Sequence, residues 1–332
     1  MSNPAQPNRS CVSRPMRKHL LTLAKLAVSA ALIAWVMNGI NFRDVIAKIT
    51  GVSTSWFATA ALFLVGALIL GAVRWQLVLG ALGVRPRFGV TARLFLVGIF
   101  FNQTLPSSIG GDATRVFYLW RTGTSAQTAL NSVLLDRIIG LTVLMVATTI
   151  IAPSLTGHLD NPIAINGLVL VLIASWVAIA ALFMFDNSLT RRFRNLRLID
   201  VALKLSRDAV DLCRQPSLAA ATLAISLAIH GATVATAWSL DHALGGDASL
   251  LIYIIAMTPT ILLISIPISI AGWGVREQIL VVLLGALGTS ATQALSVSIL
   301  FGTLLLIAGI PGGILWLSMR QSPKNEGTPE ID

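Results

Sequence analysis

The sequence predicts an all-α polytopic membrane protein with about six full transmembrane helices and two re-entrant broken hairpins arranged as an inverted repeat. Composition is the first reason. Of the 332 residues, 55% are hydrophobic and only 11% are charged, whereas a soluble domain has about 25% charged residues. The second reason is that long apolar runs recur along the chain, and the third is that two turn segments resemble each other. The same composition excludes a disordered chain.

Six apolar runs are long enough to cross a bilayer, which takes a helix of about 20 residues. They lie near residues 20–40, 55–80, 128–152, 162–185, 216–240 and 292–318. The run at 20–40 is too long for the hydrophobic part of a cleaved signal peptide, so we expect it to remain as an anchor. The stretches 89–105 and 248–288 are short or interrupted. We therefore predict that each of them enters and leaves the membrane on the same side.

Basic residues set the predicted orientation, because cytoplasmic loops collect Lys and Arg. The two tails and the connection 186–215 carry basic residues and are placed in the cytoplasm, whereas 153–161 and 241–247 carry none and are placed outside. An even number of crossings must separate two cytoplasmic segments, although five runs precede residue 186. One run therefore has to turn back. The same loops explain the excess of 24 Lys and Arg over 14 Asp and Glu, so no nucleic-acid partner is expected.

An internal repeat relates the two halves of the chain. PSSIGGDATR at 106–115 aligns with PISIAGWGVR at 267–276, with Pro, Ser, Ile, Gly and Arg in common. The predicted orientation has the two copies entering from opposite faces, so the repeat is predicted to be inverted. Paired interrupted segments of this kind indicate a transporter-type binding site. The predicted organisation has a cytoplasmic tail at 1–18, one membrane domain at 19–320 and a second cytoplasmic tail at 321–332. The membrane domain contains two repeat halves, at about 54–152 and 216–318, and a basic cytoplasmic linker at 186–215 lies between them.

The first turn is the most informative segment. Pro106 lacks a backbone donor, and Gly110 and Gly111 permit positive φ. Asp112 and Arg115 would share one face of a helix that begins at the glycines, where the helix N-terminus and the Arg favour an anion. We predict a phosphate-binding turn for a lipid headgroup; a polar loop that only packs two helices is the alternative. The candidate binding residues of this turn are Asn102, Pro106, Ser108, Gly110, Gly111, Asp112 and Arg115.

Two charges inside the 128–152 run extend this candidate site. Asp136 and Arg137 are neighbours in sequence, so they point in different directions on a helix. Pairing of Asp136 with Arg115, or of Arg137 with Asp112, would neutralise the charges at low dielectric. The sequence is compatible with a functional role and with structural pairing for these two residues, and both can hold together.

The second turn repeats the chemistry of the first. Arg276 and Glu277 follow it, and the guanidinium fork of Arg suits phosphate because it binds two oxygens at once. The candidate binding residues here are Pro267, Ser269, Gly272, Gly274, Arg276 and Glu277.

The remaining polar positions are given structural roles. Arg74 is expected to extend from its span to the cytoplasmic interface. His230 is interpreted as a hydrogen-bonded packing residue, with a proton relay as the alternative. The stretch 191–212 is either an interfacial helix on anionic lipid or a solvated loop. The histidines lack metal-ligand spacing and no nucleotide-binding motif occurs, so neither a metal nor a cofactor is expected.

Three motifs together resemble the lysylphosphatidylglycerol synthase transmembrane, flippase-like family. They are the Pro-x-x-x-Gly-Gly-Asp-x-x-Arg turn within 102–115, the Asp-Arg pair within 132–137, and the Gly-x-Gly-x-Arg-Glu turn within 267–277. The resemblance extends from about residue 20 to residue 318. It implies a bacterial or archaeal inner-membrane protein that handles polar lipids, and we expect a multi-pass protein of the bacterial inner membrane.

This resemblance implies binding and translocation of a polar or anionic lipid between leaflets, with no catalytic residue. Full synthases of the family resemble a flippase fused to an aminoacyl-transferase domain, which we do not expect in a chain that ends at Asp332. One alternative is a membrane transferase with Asp112 or Asp136 as base. Another is an accessory subunit of a hopanoid, glycolipid or aminoacyl-phospholipid pathway. The expected partners are a membrane lipid with a polar or phosphate headgroup and a lipid-synthesis enzyme.

Overall fold

A computed structural model describes residues 42–105, 110–159, 161–184, 197–266 and 271–321. Within these residues the chain forms helices and no β-strand. The described helices are α1 (Phe42–Thr50), α2 (Thr54–Ala81), α3 (Phe88–Thr104), α4 (Gly110–Arg121), α5 (Ala126–Thr156), α6 (Pro162–Met184), α7 (Arg197–Cys213), α8 (Pro216–Ala243), α9 (Leu250–Ile264), α10 (Val275–Ala286) and α11 (Ala291–Gln321).

Five described helices, α2, α5, α6, α8 and α11, are long and apolar enough to cross a membrane. They coincide with five of the six predicted spans, and the sixth, near 20–40, lies outside the described residues. Large apolar side chains such as Leu62 and Ile150 are more than 70% exposed, as lipid-facing side chains of a membrane protein are. The predicted fold class, an all-α polytopic membrane protein, is confirmed.

Helix lengths recur in the same order in the two halves. Helices α2 to α5 have 28, 17, 12 and 31 residues, and α8 to α11 have 28, 15, 12 and 31. With 12 residues, α4 and α10 are too short to cross a bilayer alone. Each half therefore contains a pair of short helices between two long ones. The re-entrant and inverted arrangement of these pairs stays a prediction.

The two halves pack directly on each other. Among the described helices, α2 against α8 forms the most extensive contact, followed by α3 against α11. Glycine makes the second contact possible, because a Cβ on Gly312 would lie 2.0 Å from the carbonyl oxygen of Leu96. Small residues at such positions let the backbones of membrane helices approach closely.

The basic connection between the halves contains a docked helix. The described part of the 191–212 stretch forms α7, so it is helical, and its contact with lipid stays a prediction. Leu212 is buried with Leu135 of α5, and the side-chain amide of Asn131 donates a hydrogen bond to Asp208 at 2.5 Å. Partial burial raises the pKa of the Asp208 carboxyl, and the Asn131 hydrogen bond opposes that rise. Packing and hydrogen bonding together hold α7 against α5.

Candidate functional site

The first turn brings α3 and α4 into close contact. The backbone N–H of Gly111 donates to Oδ1 of Asn102 at 3.0 Å. A Cβ on Gly111 would lie 1.9 Å from the carbonyl oxygen of Gly98. Since a backbone oxygen cannot rotate away as a side chain can, this position excludes any residue larger than glycine.

Replacing Gly111 by alanine is therefore expected to lower the free energy of unfolding by about 1–3 kcal/mol, the usual range for overpacking. Gly89→Ala in α3 is the matched control, because nothing lies within 4 Å of a Cβ built there. That control should leave stability unchanged or raise it by about 0.5–1 kcal/mol. Denaturant titration of both variants in bicelles measures the difference. Equal stability of the two variants would contradict the close approach of α3 and α4.

Five charged side chains from α2, α4 and α5 form one ion-pair cluster. Oδ1 of Asp136 lies 2.8 Å from Nε of Arg74, and Oδ2 lies 3.0 Å from Nη2 of Arg115. Oδ2 of Asp112 lies 2.8 Å from Nε of Arg137, and Oδ1 lies 3.7 Å from Nη1 of Arg115. Both pairings predicted from the sequence, Asp136 with Arg115 and Arg137 with Asp112, are confirmed. The cluster therefore joins α2, α4 and α5 through charged side chains.

Aromatic rings complete the surroundings of Arg115. Its guanidinium carbon lies 4.0 Å from the ring centroid of Trp75 and 5.0 Å from that of Phe95. Only 5% of Arg115 and 2% of Asp136 is exposed. Cation–π contacts and a buried carboxylate thus hold this guanidinium inside the protein.

The prediction that Arg74 extends to the cytoplasmic interface is wrong. Arg74 is only 9% exposed, and its Nη1 donates to the hydroxyl of Ser226 on α8 at 2.9 Å. The physical reason is that Asp136 supplies a counter-charge at the same depth. An Arg74 side chain directed to the interface would leave that buried carboxylate with a weaker set of partners.

His230 packs as the sequence analysis favoured. Its Nε2 lies 3.1 Å from the carbonyl oxygen of Gly140 on α5, within hydrogen-bond distance. A Cβ on Gly140 would lie 2.9 Å from Nη1 of Arg74, so this glycine makes room for the arginine.

The second turn holds its own buried ion pair. Nη2 of Arg276 lies 2.6 Å from Oε1 of Glu277, and the hydroxyl of Ser298 donates to the same oxygen at 2.9 Å. The other carboxylate oxygen accepts the backbone N–H of Gly274 at 2.6 Å, where φ is +84°. A guanidinium contact with Trp273 at 4.8 Å completes the group. Arg276 and Glu277 are at most 2% exposed.

A cavity of about 430 Å³ lies between the two turns. Its wall includes Asn102, Gln103, Asp112 and Arg137 from the first half and Ile264, Ser265, Ala271 and Gly272 from the second half. The Arg137 side chain is 42% exposed, so its guanidinium is the one from the ion-pair cluster that reaches this cavity. The guanidinium groups of Arg115 and Arg276 are instead held in buried ion pairs.

The structure divides the predicted site residues into four groups. Those that line the cavity are Asn102, Asp112, Arg137 and Gly272. Those in buried ion pairs are Arg115, Asp136, Arg276 and Glu277. Those at close contacts or helix starts of the turns are Gly110, Gly111 and Gly274. Those outside the described residues are Pro106, Ser108, Pro267 and Ser269.

Three polar or small cavity residues were not among the predicted site residues. Gln103 follows Asn102 directly, and a second amide at the end of an apolar run is a signal that the sequence contains. Ser265 and Ala271 flank the second turn, where residue type alone gives no sign of a cavity. In the described residues Ala271 is the one non-glycine residue with positive φ, at +49°, and such backbone strain concentrates at functional segments.

The family model described as "Lysylphosphatidylglycerol synthase TM region" matches residues 22–313. Among curated proteins no match is found. The matched range includes both turns, the five-residue ion-pair cluster and every residue of the cavity wall. The protein therefore belongs to the family of the lysylphosphatidylglycerol synthase transmembrane region.

Proposed function

We propose that this protein binds the polar head of an anionic lipid in the cavity between the two turns and moves the lipid between the leaflets of the inner membrane. The observation that carries the proposal is the composition of the cavity wall. Each half of the protein contributes one side of it, and Arg137 stands partly exposed on the first side. Family membership supports a lipid as the ligand, because the family is named after a lipid synthase.

Charge favours an anionic headgroup. The ion-pair cluster contains three guanidinium groups, on Arg74, Arg115 and Arg137, against the carboxylates of Asp112 and Asp136. The cluster therefore keeps one net positive charge. Arg137 is the most exposed member, and its guanidinium can bind two phosphate oxygens at once.

Apolar space beside the cavity favours an amphiphile. Leu141 of α5 lines both the polar cavity and a second cavity of about 310 Å³, whose wall also includes Met145 and Ile179. The second cavity lies between α5 and α6 and is almost entirely apolar. A lipid could place its head beside Arg137 and an acyl chain along α6.

A cavity wall with residues from both halves also favours translocation over simple binding. Each turn is fixed within its own half, by the five-residue cluster in one case and by the Arg276–Glu277 pair in the other. A relative movement of the halves would then change the access to the cavity while each turn stays intact. Sites between structural repeats are used in this way by transporters.

Reconstitution tests the proposal. The purified protein is placed in phosphatidylcholine vesicles with a trace of fluorescent phosphatidylglycerol, and movement of the label between leaflets is measured. We expect faster movement than in protein-free vesicles. Arg137→Gln should slow it by roughly ten-fold or more, since a charge-assisted hydrogen bond contributes about 1.5–3 kcal/mol.

Arg121→Gln is the matched control. Arg121 ends α4, is exposed, and lies over Phe117 outside the cavity. Equal rates with and without protein for several anionic lipids would contradict translocation. Equal loss in both variants would contradict the role of Arg137. Recovery of a chemically altered label would support the transferase alternative.

A further inference from the structure

A separate cavity of about 350 Å³ lies where α8 and α10 end. It shares no lining residue with the cavity between the turns. Helix α8 ends at Ala243 and α10 at Ala286, and residues shortly after both ends line the cavity. The last turn of a helix carries a negative partial charge. Two helix ends therefore make this cavity electrostatically favourable for a cation.

Asp241 is the buried charge of this cavity. It is 0% exposed and accepts hydrogen bonds from the Gln293 amide at 2.7 Å and from the backbone N–H of Ala248 at 3.2 Å. All these partners are neutral. The one basic group within ion-pair distance in the described residues is Nδ1 of His242, at 4.0 Å, which is charged only when protonated.

This situation differs from that of the other buried carboxylates. Asp136 has two arginines and Glu277 has one, whereas no Lys or Arg is among the described residues that line the Asp241 cavity. A buried charge without a counter-charge is unfavourable by several kcal/mol. The charge balance of this cavity therefore favours one positive charge next to Asp241.

Gln293 supplies an independent observation. Its Nε2 donates to Asp241, but its Oε1 is buried with no hydrogen-bond donor, and the residue is only 5% exposed. The hydroxyl-bearing residues Ser249, Thr289 and Ser290 line the same cavity. A carboxylate keeps about four lone-pair sites, of which neutral donors occupy only part here. Oxygen acceptors without donors are the ligands that a hard cation uses.

We propose that this cavity binds a small monovalent cation, with sodium as its reference ion, through the Asp241 carboxylate and Oε1 of Gln293. A single charge follows from the single uncompensated buried carboxylate, because the second acid, Asp247, is exposed. The described residues also contain no cluster of three or more His, Cys, Asp or Glu suited to a multivalent metal. The bound ion would link the end of α8 to the start of α11. This site goes beyond the proposed lipid site and does not depend on it.

Sodium binding to the full chain in lipid nanodiscs tests the proposal. Saturable binding of ²²Na⁺ is measured at fixed pH, together with the melting temperature in NaCl and in choline chloride of equal ionic strength. We expect saturable binding and a melting temperature higher in NaCl by about 2 °C or more. Asp241→Asn, which keeps the shape and removes the charge, should abolish both effects.

Asp211→Asn is the matched control, since it changes the same residue type at an exposed position of α7 that does not line this cavity. It should keep both effects. Absence of saturable binding to the wild-type protein overturns the proposal, and this measurement does not require the variant to fold. A response to pH alone, with none to sodium, overturns it in favour of a proton. A larger shift in CaCl₂ or MgCl₂ overturns the monovalent assignment.

Discussion

Replacing Asp136 by asparagine is expected to lower the free energy of unfolding by about 3–5 kcal/mol, the largest effect of a single substitution that this structure predicts. Asp136 is 2% exposed and pairs with Arg74 of α2 and Arg115 of α4. Asparagine has nearly the same shape, so the loss isolates the charge. Two buried guanidinium groups would then lack a shared counter-charge. Denaturant titration in bicelles measures the change.

Asp200→Asn controls for removal of an acid as such. Asp200 pairs with Lys204 at 3.6 Å on the surface of α7, and about half of each side chain is exposed. Such a pair contributes only about 0–1 kcal/mol. Adding Arg74→Met to Asp136→Asn removes one of the two uncompensated charges and should restore part of the lost stability. If Asp136→Asn and Asp200→Asn are equally stable, the ion-pair cluster does not support the fold.

The fold class could be predicted because a membrane restricts the chain strongly. A spanning segment must satisfy its backbone internally and expose apolar side chains, so α2, α5, α6, α8 and α11 each appear as a long apolar run. The short helices could be located because Gly and Pro interrupt the pattern beside α4 and α10. The length and composition of the apolar runs therefore predict most of the architecture.

The site could be predicted only in part, because the direction of a side chain depends on distant partners. Arg74 lies 62 positions from Asp136 in sequence, and nothing near Arg74 indicates that a carboxylate of α5 lies at the same depth. For the same reason, the sequence could not reveal which guanidinium is exposed at the cavity. Arg115 and Arg137 are both plausible phosphate ligands by type, but the rotation of α5 places Asp136 against Arg115 and leaves Arg137 partly exposed at the cavity.

The two halves neutralise equivalent arginines in different ways. Arg115 and Arg276 occupy matching positions of the sequence repeat, but Arg115 pairs with acids on two helices, whereas Arg276 pairs with the next residue of its own helix. The first turn therefore depends on the position of α5. The second turn is stabilised largely within α10, with Ser298 and Phe301 of α11 as external contacts.

Glu277→Gln tests this difference and is the second substitution with a large expected effect, a loss of about 3 kcal/mol or more. Glutamine can still accept the Gly274 N–H that caps α10, so the loss reports the unpaired charge of Arg276, which is 1% exposed. The free energy of unfolding is measured as for Asp136.

The double variant Arg276→Gln, Glu277→Gln decides the interpretation. If the charge of Arg276 causes the loss, removing it together with Glu277 should restore much of the stability, because a neutral pair leaves no buried charge without a partner. A double variant as unstable as Glu277→Gln alone would instead assign the loss to the lost carboxylate contact with Ser298. In the first half, no equivalent neighbour pair exists, and Arg115→Gln with Asp136→Asn would still leave Arg74 buried without its carboxylate. If stability recovers in the second half but not in the first, the two halves share an arginine at the matching position and stabilise it independently.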